Sequence, residues 1–227
     1  WKGILLVFLW MMPAAGMVMV TNLSTGIIIM GIAFIIIFTA SRQWLPFFVL
    51  MGLGGGFMGI FLKLASYRAA INEKTKLVEI QRSKGYQTRQ SLYAIGSGGL
   101  FGRGYGKSIQ KLAYIPEAHN DMIFSVICEE WGLLGAGIIA ALFIFLIWRC
   151  LITANSAPDI PGALLTMGVT AHLGLQMLIN IAVVTNSIPN TGIPLPFISY
   201  GGTSLIFLMC EIGIVQNIAQ QGKTYIS

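Results

Sequence analysis

Charge is the scarcest commodity in this chain of 227 residues. Only 10% of its residues are charged and only eight are acidic, whereas an ordinary soluble domain carries about 25% charged residues. With 56% hydrophobic residues and a mean hydropathy of +0.77, the composition argues against a water-soluble globule. Cysteine is scarce too. Cys128, Cys150 and Cys210 are odd in number and lie in or at the ends of apolar runs, which argues against a disulfide framework or a thiolate metal site. They read as small buried hydrophobes. A nucleotide-binding phosphate loop is also missing. Gly106-Lys107-Ser108 has the right ending, but Phe101 stands where the first glycine is needed and no strand precedes it.

What the chain does have is long apolar runs. Six stand out: Ile4–Val20, Thr25–Ala40, Leu45–Leu62, Met122–Arg149, Pro161–Val184 and Ile198–Ile218. Most approach the roughly 20 residues that cross a bilayer. Backbone groups in lipid must be satisfied within the segment, so each run is expected to be a helix. The predicted fold is an all-α polytopic membrane protein with six transmembrane helices and one long polar connection, residues 63–121. The chain opens on Trp1 and enters apolar sequence at once. It reads as a piece of a longer protein that lacks its natural start, not as a signal peptide followed by a mature domain. In the third run Gly52/Gly56 and Gly55/Gly59 form small-xxx-small pairs, and Gly132, Ala136 and Ala140 repeat the device in the fourth; both read as close helix packing.

Net charge is +6, and ten of the fourteen basic residues fall between Lys63 and Lys111. A basic segment between two membrane spans points to lipid phosphate as its counter-charge and argues against nucleic acid. Lys2, Arg42, Arg149 and Lys223 mark one side of the membrane, and the opposite short connections carry no charge. The positive-inside rule would make that side cytoplasmic; counting the long loop would favour the inverse. Charge alone leaves orientation open. Within the loop, Asn72–Lys84 reads either as a short interfacial amphipathic helix or as a solvated connector.

The chemistry concentrates in Lys111–Gly132, which holds His119 and four of the eight carboxylates: Glu117, Asp121, Glu129 and Glu130. Asp121 reads either as a helix N-cap or as a functional acid at the membrane boundary. Glu129 and Glu130 lie two turns deeper, and at least one is expected to pair with a basic residue of the loop. The glycine run Ile95–Gly106 precedes this stretch. Its backbone N–H groups, with Arg103, Lys107 and Lys111 beside them, suit a phosphate or pyrophosphate; a flexible loop is the plainer reading. In the fifth run His172, Gln176 and Asn180 recur every four residues as a polar stripe, and Glu211 is the carboxylate within the sixth. The stripe reads either as interhelical hydrogen bonds or as the wall of a wet cavity. His172 and Glu211 each lie about eleven residues into their spans, roughly 16 Å from opposite faces of a core about 30 Å thick, and are expected to pair. Ser187–Thr203, SIPNTGIPLPFISYGGT, is shaped by Pro189, Pro194 and Pro196 and by Gly192, Gly201 and Gly202. It suits a re-entrant or lid-like loop beside a cavity, with Ser199 and Tyr200 among its shaping residues.

Three segments together resemble the SEDS family (shape, elongation, division and sporulation), the FtsW/RodA/SpoVE-like proteins. They are Gly85–Gly106, Ser108–Gly132 and Ile188–Ser204. Asn190–Gly192 and the GSGGLFG run look more like the division or sporulation branch than the elongation branch. The resemblance covers nearly the whole chain and corresponds to the last six of the family's ten spans, with the first four absent. It implies a peptidoglycan glycosyltransferase that polymerises lipid II on the outer face of the bacterial cytoplasmic membrane, acting at the division septum with other divisome proteins around it. It also implies a class B penicillin-binding protein as partner. Residues 63–121 would then be extracellular. The family's essential aspartate, in its PE-x-H-x-D segment, corresponds to Asp121. Two departures are visible. Asn22-Leu23-Ser24-Thr25 stands where relatives often have a Pro-Asp-Leu-Gly-Thr run, and Lys74–Lys84 is unlike its counterparts.

Such a reaction needs a base for the attacking sugar hydroxyl and positive charge for the departing phosphates. Asp121 is the expected base, Glu117 and His119 its supports, and Arg103, Lys107 and Lys111 the expected phosphate contacts. A divalent cation could share the phosphate role, although no ligand cluster in the sequence demands one. Rival readings are a flippase or transporter of the lipid-linked precursor and a non-catalytic scaffold for the transpeptidase.

Overall fold

The computed structural model describes residues 13–19, 22–40, 77–109, 119–188 and 190–226. The expected third span, its glycine pairs, Lys111, Glu117 and Pro189 lie outside the described residues, as does most of the first span. Residues 13–19 are helical. Five longer helices follow: α1 (Leu23–Ala40), α2 (Leu77–Gly98), α3 (Ile123–Asn155), α4 (Ile160–Val184) and α5 (Gly202–Ile226). Among the described residues, α3, α4 and Gly202–Gly222 of α5 are long and apolar enough to cross a membrane, and Ser24–Ala40 is a shorter apolar helix. The molecule is an all-helical, multi-pass membrane protein.

α4 is the hub and touches each of the other four helices. Its start is fixed locally: the Asp159 side chain accepts from Gly162 N at 3.2 Å, and a proline stands in the first turn. The expected sixth span begins four residues late, at Gly202 and not at Ile198. Pro194 and Pro196 deny the preceding residues a regular helix, and Phe197 has φ 61°, in the left-handed region.

Two departures from the sequence reading matter for the site. The first is α2. The long polar connection is not all loop: from Leu77 it is helical for 22 residues. Among its described side chains, residues 86–98, the buried positions are Thr88, Ser91, Ala94 and Gly98, small residues at helical spacing, so it lies close against α3 and α4. The Ser91 hydroxyl donates to Thr88 O and Val184 O at 2.8 and 3.1 Å, tying α2 to the end of α4.

The second is a break inside α3. Gly132 has φ 69° and ψ −166°, a backbone that residues with a Cβ rarely adopt. A continuous helix of 33 residues would be about 50 Å long, well beyond a core of about 30 Å. The break leaves Leu133–Asn155 as the apolar span and sets Glu129 and Glu130 in the shorter half before it. Both acids are buried within the protein, Glu129 fully and Glu130 nearly so. Gly132 is not a helix-packing glycine, although Ala136 on the same expected stripe is buried.

Breaking a helix orphans backbone groups. Here the glycine run satisfies them. Arg103 N and Gly104 N donate to Glu129 O and Glu130 O at 2.9 and 3.0 Å, while Leu133 N and Leu134 N donate to Gly99 O and Leu100 O at 2.9 and 3.2 Å. The backbones of Gly102 and Gly132 approach so closely that a Cβ on either would strike main-chain atoms of the other segment. The first part of this run spends its Arg103 and Gly104 amides on α3. It is a backbone splice across the α3 break.

Candidate active site around Asp121

The residues just before α3 carry the candidate base. The N-cap of α3 is Met122, with no side-chain cap hydrogen bond, so Asp121 stands one residue outside the helix and is not its N-cap. Asp121 is 9% exposed. Three consecutive carbonyls leading into it are each bonded to a distant part of the chain. His119 O accepts from Tyr200 N at 2.9 Å. Asn120 O accepts from the Ser199 hydroxyl at 2.6 Å. Asp121 O accepts from Asn180 Nδ2 at 2.8 Å.

Each stitch is itself anchored. Asn180 is fully buried on α4, and its other amide hydrogen goes to Ile193 O, also at 2.8 Å. The Ser199 oxygen accepts from Leu195 N at 2.7 Å, and Ser199 N returns a bond to Leu195 O at 3.0 Å. These bonds close the turn that holds Phe197 in its strained backbone. Asn190 caps the other end of the loop. Its Oδ1 accepts from Gly192 N at 3.0 Å, and its Nδ2 donates to Gln87 Oε1 on α2 at 2.9 Å. The loop thus bridges α2, α4, α5 and the Asp121 segment. Gly192, with φ 68°, faces the carboxylate: a Cβ placed there would stand 3.9 Å from Asp121 Oδ2.

The polar stripe of α4 divides its labour. His172 Nδ1 lies 3.0 Å from both Glu211 oxygens on α5, the pairing expected from their depths. Gln176 and His172 line two cavities. One, of about 180 Å³, is walled by Pro194, Pro196, Tyr200 and Gly201. The other, of about 740 Å³, runs between α1, α4 and α5, with Asn22, Thr25, Gly192 and Glu211 at its polar positions and isoleucines of α1 along its wall. His172 thus both pairs across to α5 and faces the cavities, Gln176 faces them, and Asn180 is spent on backbone carbonyls.

The cationic residues lie elsewhere. Arg103 is spliced to the α3 break, with Nη1 3.8 Å from Glu129 Oε1 and Nε donating to Ser97 O at 3.4 Å. A basic loop residue was expected to pair with one of these acids, and this is that pair. Glu129, fully buried, also accepts from the Ser108 hydroxyl at 2.5 Å and from Ile109 N at 3.1 Å. Lys107 is exposed. Glu129 lies eight residues after Asp121, so the turn to which Arg103 is tied stands roughly 12 Å along the axis from Asp121. The His119 side chain is exposed and its carbonyl is the bonded group. Among the described residues, no group of three or more His, Cys, Asp or Glu side chains is placed to hold a metal ion. Sequence reasoning missed Gln87, Ser91, Ser108 and the anchoring role of Asn190. Their only signal was polarity within a segment that read as loop.

Residues 1–224 match the profile of the FtsW/RodA/SpoVE family, described as "Cell cycle protein". Stage V sporulation protein E of Bacillus subtilis (strain 168) is 41% identical over 205 residues, covering 89% of this chain and 56% of that protein. A probable peptidoglycan glycosyltransferase FtsW of Coxiella burnetii is 41% identical over 192 residues, covering 82% of this chain and 51% of that protein. The chain thus spans about half the length of these curated relatives. Among solved structures, the rod shape determining protein RodA of Thermus thermophilus superposes with a TM-score of 0.61 at 27% identity, over 95% of this chain and 55% of that one. A chain from a peptidoglycan synthase complex, whose polymerization and crosslinking are structurally coordinated, superposes at 0.67 over 93% of this chain and 60% of its own; at 24% identity that likeness is one of fold. By its sequence over almost its whole length, and by the fold that carries its candidate site, the chain belongs to the FtsW/RodA/SpoVE family.

Proposed function

We propose that this chain is the part of a peptidoglycan glycosyltransferase that polymerises lipid II and that carries the catalytic base, Asp121. The observation that carries the reading is the carboxylate itself. It is nearly buried, is not a helix cap, and sits on a backbone pinned by three successive carbonyl bonds beside the Gly192 turn. Immobilising a base against its target supplies much of what such a reaction requires. In the proposed step a sugar hydroxyl attacks the anomeric carbon of a second lipid-linked unit. The new C–O bond forms as the bond to the lipid pyrophosphate breaks, the hydroxyl proton passes to Asp121, and the pyrophosphate leaves with the electron pair. Arg103, Lys107 and Lys111 meet its negative charge, alone or with a divalent cation; Glu117 and His119 tune the base.

The same reading puts residues 63–121 outside the cytoplasmic membrane, at the division septum, with a class B penicillin-binding protein and other divisome proteins as partners. The names of the FtsW relatives support the activity. A cysteine placed at Ser83 of a cysteine-free full-length protein should label with an impermeant reagent in cells lacking an outer membrane; protection there, with labelling at Ser227, would reverse the orientation.

A second reading, transport of the lipid-linked precursor, is favoured by the His172–Glu211 pair on the wall of the larger cavity. Purified full-length protein, given lipid II and its partner, decides between them. Glycan polymer supports the transferase. Movement of lipid II across vesicles without polymer supports the transporter.

A further inference from the structure

We propose that Asn180 is a positioning residue for the Asp121 carboxylate, acting through the backbone and touching no substrate. The inference rests on the reading of Asp121 as the base. Asn180 spends both amide hydrogens on carbonyls, Asp121 O and Ile193 O, each at 2.8 Å, from a position with no solvent exposure. Its Oδ1 is also buried and has no hydrogen-bond partner among the described residues. A buried amide with an unmatched oxygen is a poor choice for packing, because an apolar side chain of similar size would avoid the desolvation. The residue is accounted for by its two donors.

What those donors join is specific. One holds the residue that bears the carboxylate. The other holds the residue after Gly192, the glycine that faces that carboxylate. Asn180 therefore fixes the distance between the base and the turn opposite it. Ser199 and Tyr200 N fix the two preceding peptide planes, so the backbone at 119–121 has little freedom left. A base displaced by about 1 Å can lose on the order of a hundredfold in rate.

The test uses the full-length protein with its partner and lipid II. Asn180→Asp keeps the shape but turns an oxygen toward the two carbonyls. Turnover should fall by about ten- to a hundredfold, with KM for lipid II within about twofold, because no substrate-binding group is lost. Hydrogen exchange at the Tyr200 amide, which reports the bond to His119 O, should accelerate while the Leu133–Asn155 half of α3 stays protected. An unchanged kcat, or a raised KM with kcat intact, would overturn the proposal. If Asn180→Asp fails to fold, Ser199→Ala removes one bond of the same set, and a kcat unchanged in that variant also overturns it. The exchange measurement needs no turnover. A fully active Asp121→Asn protein would dismiss the base, while exchange in Asn180→Asp would still decide whether Asn180 holds the segment.

Discussion

The α3 break and the Asp121 segment are both irregular backbone docked against a helix of the same bundle, and they are held by different chemistry. At Gly132 the closure is backbone to backbone. Glu129 and Glu130 offer carbonyls, Leu133 and Leu134 offer amides, and the glycine run supplies every complement. Side chains contribute mostly by their absence. At Asp121 two of the three closing donors are side chains, Asn180 and Ser199, and the carboxylate remains at the edge of the surface. A splice made from main chain fixes shape and tolerates no Cβ. A stitch made from side chains can be altered one bond at a time, which suits a place where geometry sets a rate.

That contrast breaks most sharply at Gly132. Gly132→Val would drive a Cβ into the main chain of the glycine run and demand a positive φ from a β-branched residue. The expected loss is about 4 kcal/mol or more, read as failure to recover monodisperse full-length protein or a large drop in thermal midpoint. A well-folded Gly132→Val protein would mean that the splice is dispensable. Glu129→Leu comes next. It leaves the Ser108 hydroxyl and Ile109 N without their carboxylate acceptor, an expected cost of about 1–3 kcal/mol in thermal stability, with the base itself untouched.

The legible and illegible parts of the sequence divide along the same line. The apolar runs placed α1 and α4 to within two residues, and α3 and α5 with ends up to eight residues off, because lipid leaves a backbone few alternatives to helix. The His172–Glu211 pair could be placed by counting residues from opposite ends of two spans. The break at Gly132 could not, since Gly132, Ala136 and Ala140 form a packing pattern there. Its reason is a glycine segment about thirty residues earlier. α2 was legible only in its first part, as one of two readings of Asn72–Lys84: its polar composition carries no membrane signal, and the buried positions among its described side chains are Thr88, Ser91, Ala94 and Gly98. The Asp121 segment stood out by its composition, but nothing in it names Asn180 or Ser199 as the holders of its carbonyls.

Two smaller effects sharpen the comparison. A double-mutant cycle on His172→Ala and Glu211→Ala should yield a coupling of about 0.6–1.7 kcal/mol, the range of polar pairs between membrane helices; zero coupling would show that the pair does not join α4 to α5. Lys107→Ala should leave folding intact and lower kcat/KM for lipid II by about two- to fivefold without abolishing turnover, as expected for an exposed charge contact. An unchanged kcat/KM in a well-folded variant would remove Lys107 from the phosphate contacts.

The central claim is that Asp121 is the base, and Asp121→Asn tests it most directly. Asparagine keeps the size, and would serve a helix cap nearly as well. The measurement is glycan polymer formed from lipid II by the full-length variant with its partner transpeptidase, alongside its folding and partner binding. The account predicts that folding and binding persist while polymerisation falls by about 10²–10⁴-fold. Near-normal polymer from a well-folded Asp121→Asn protein would contradict it.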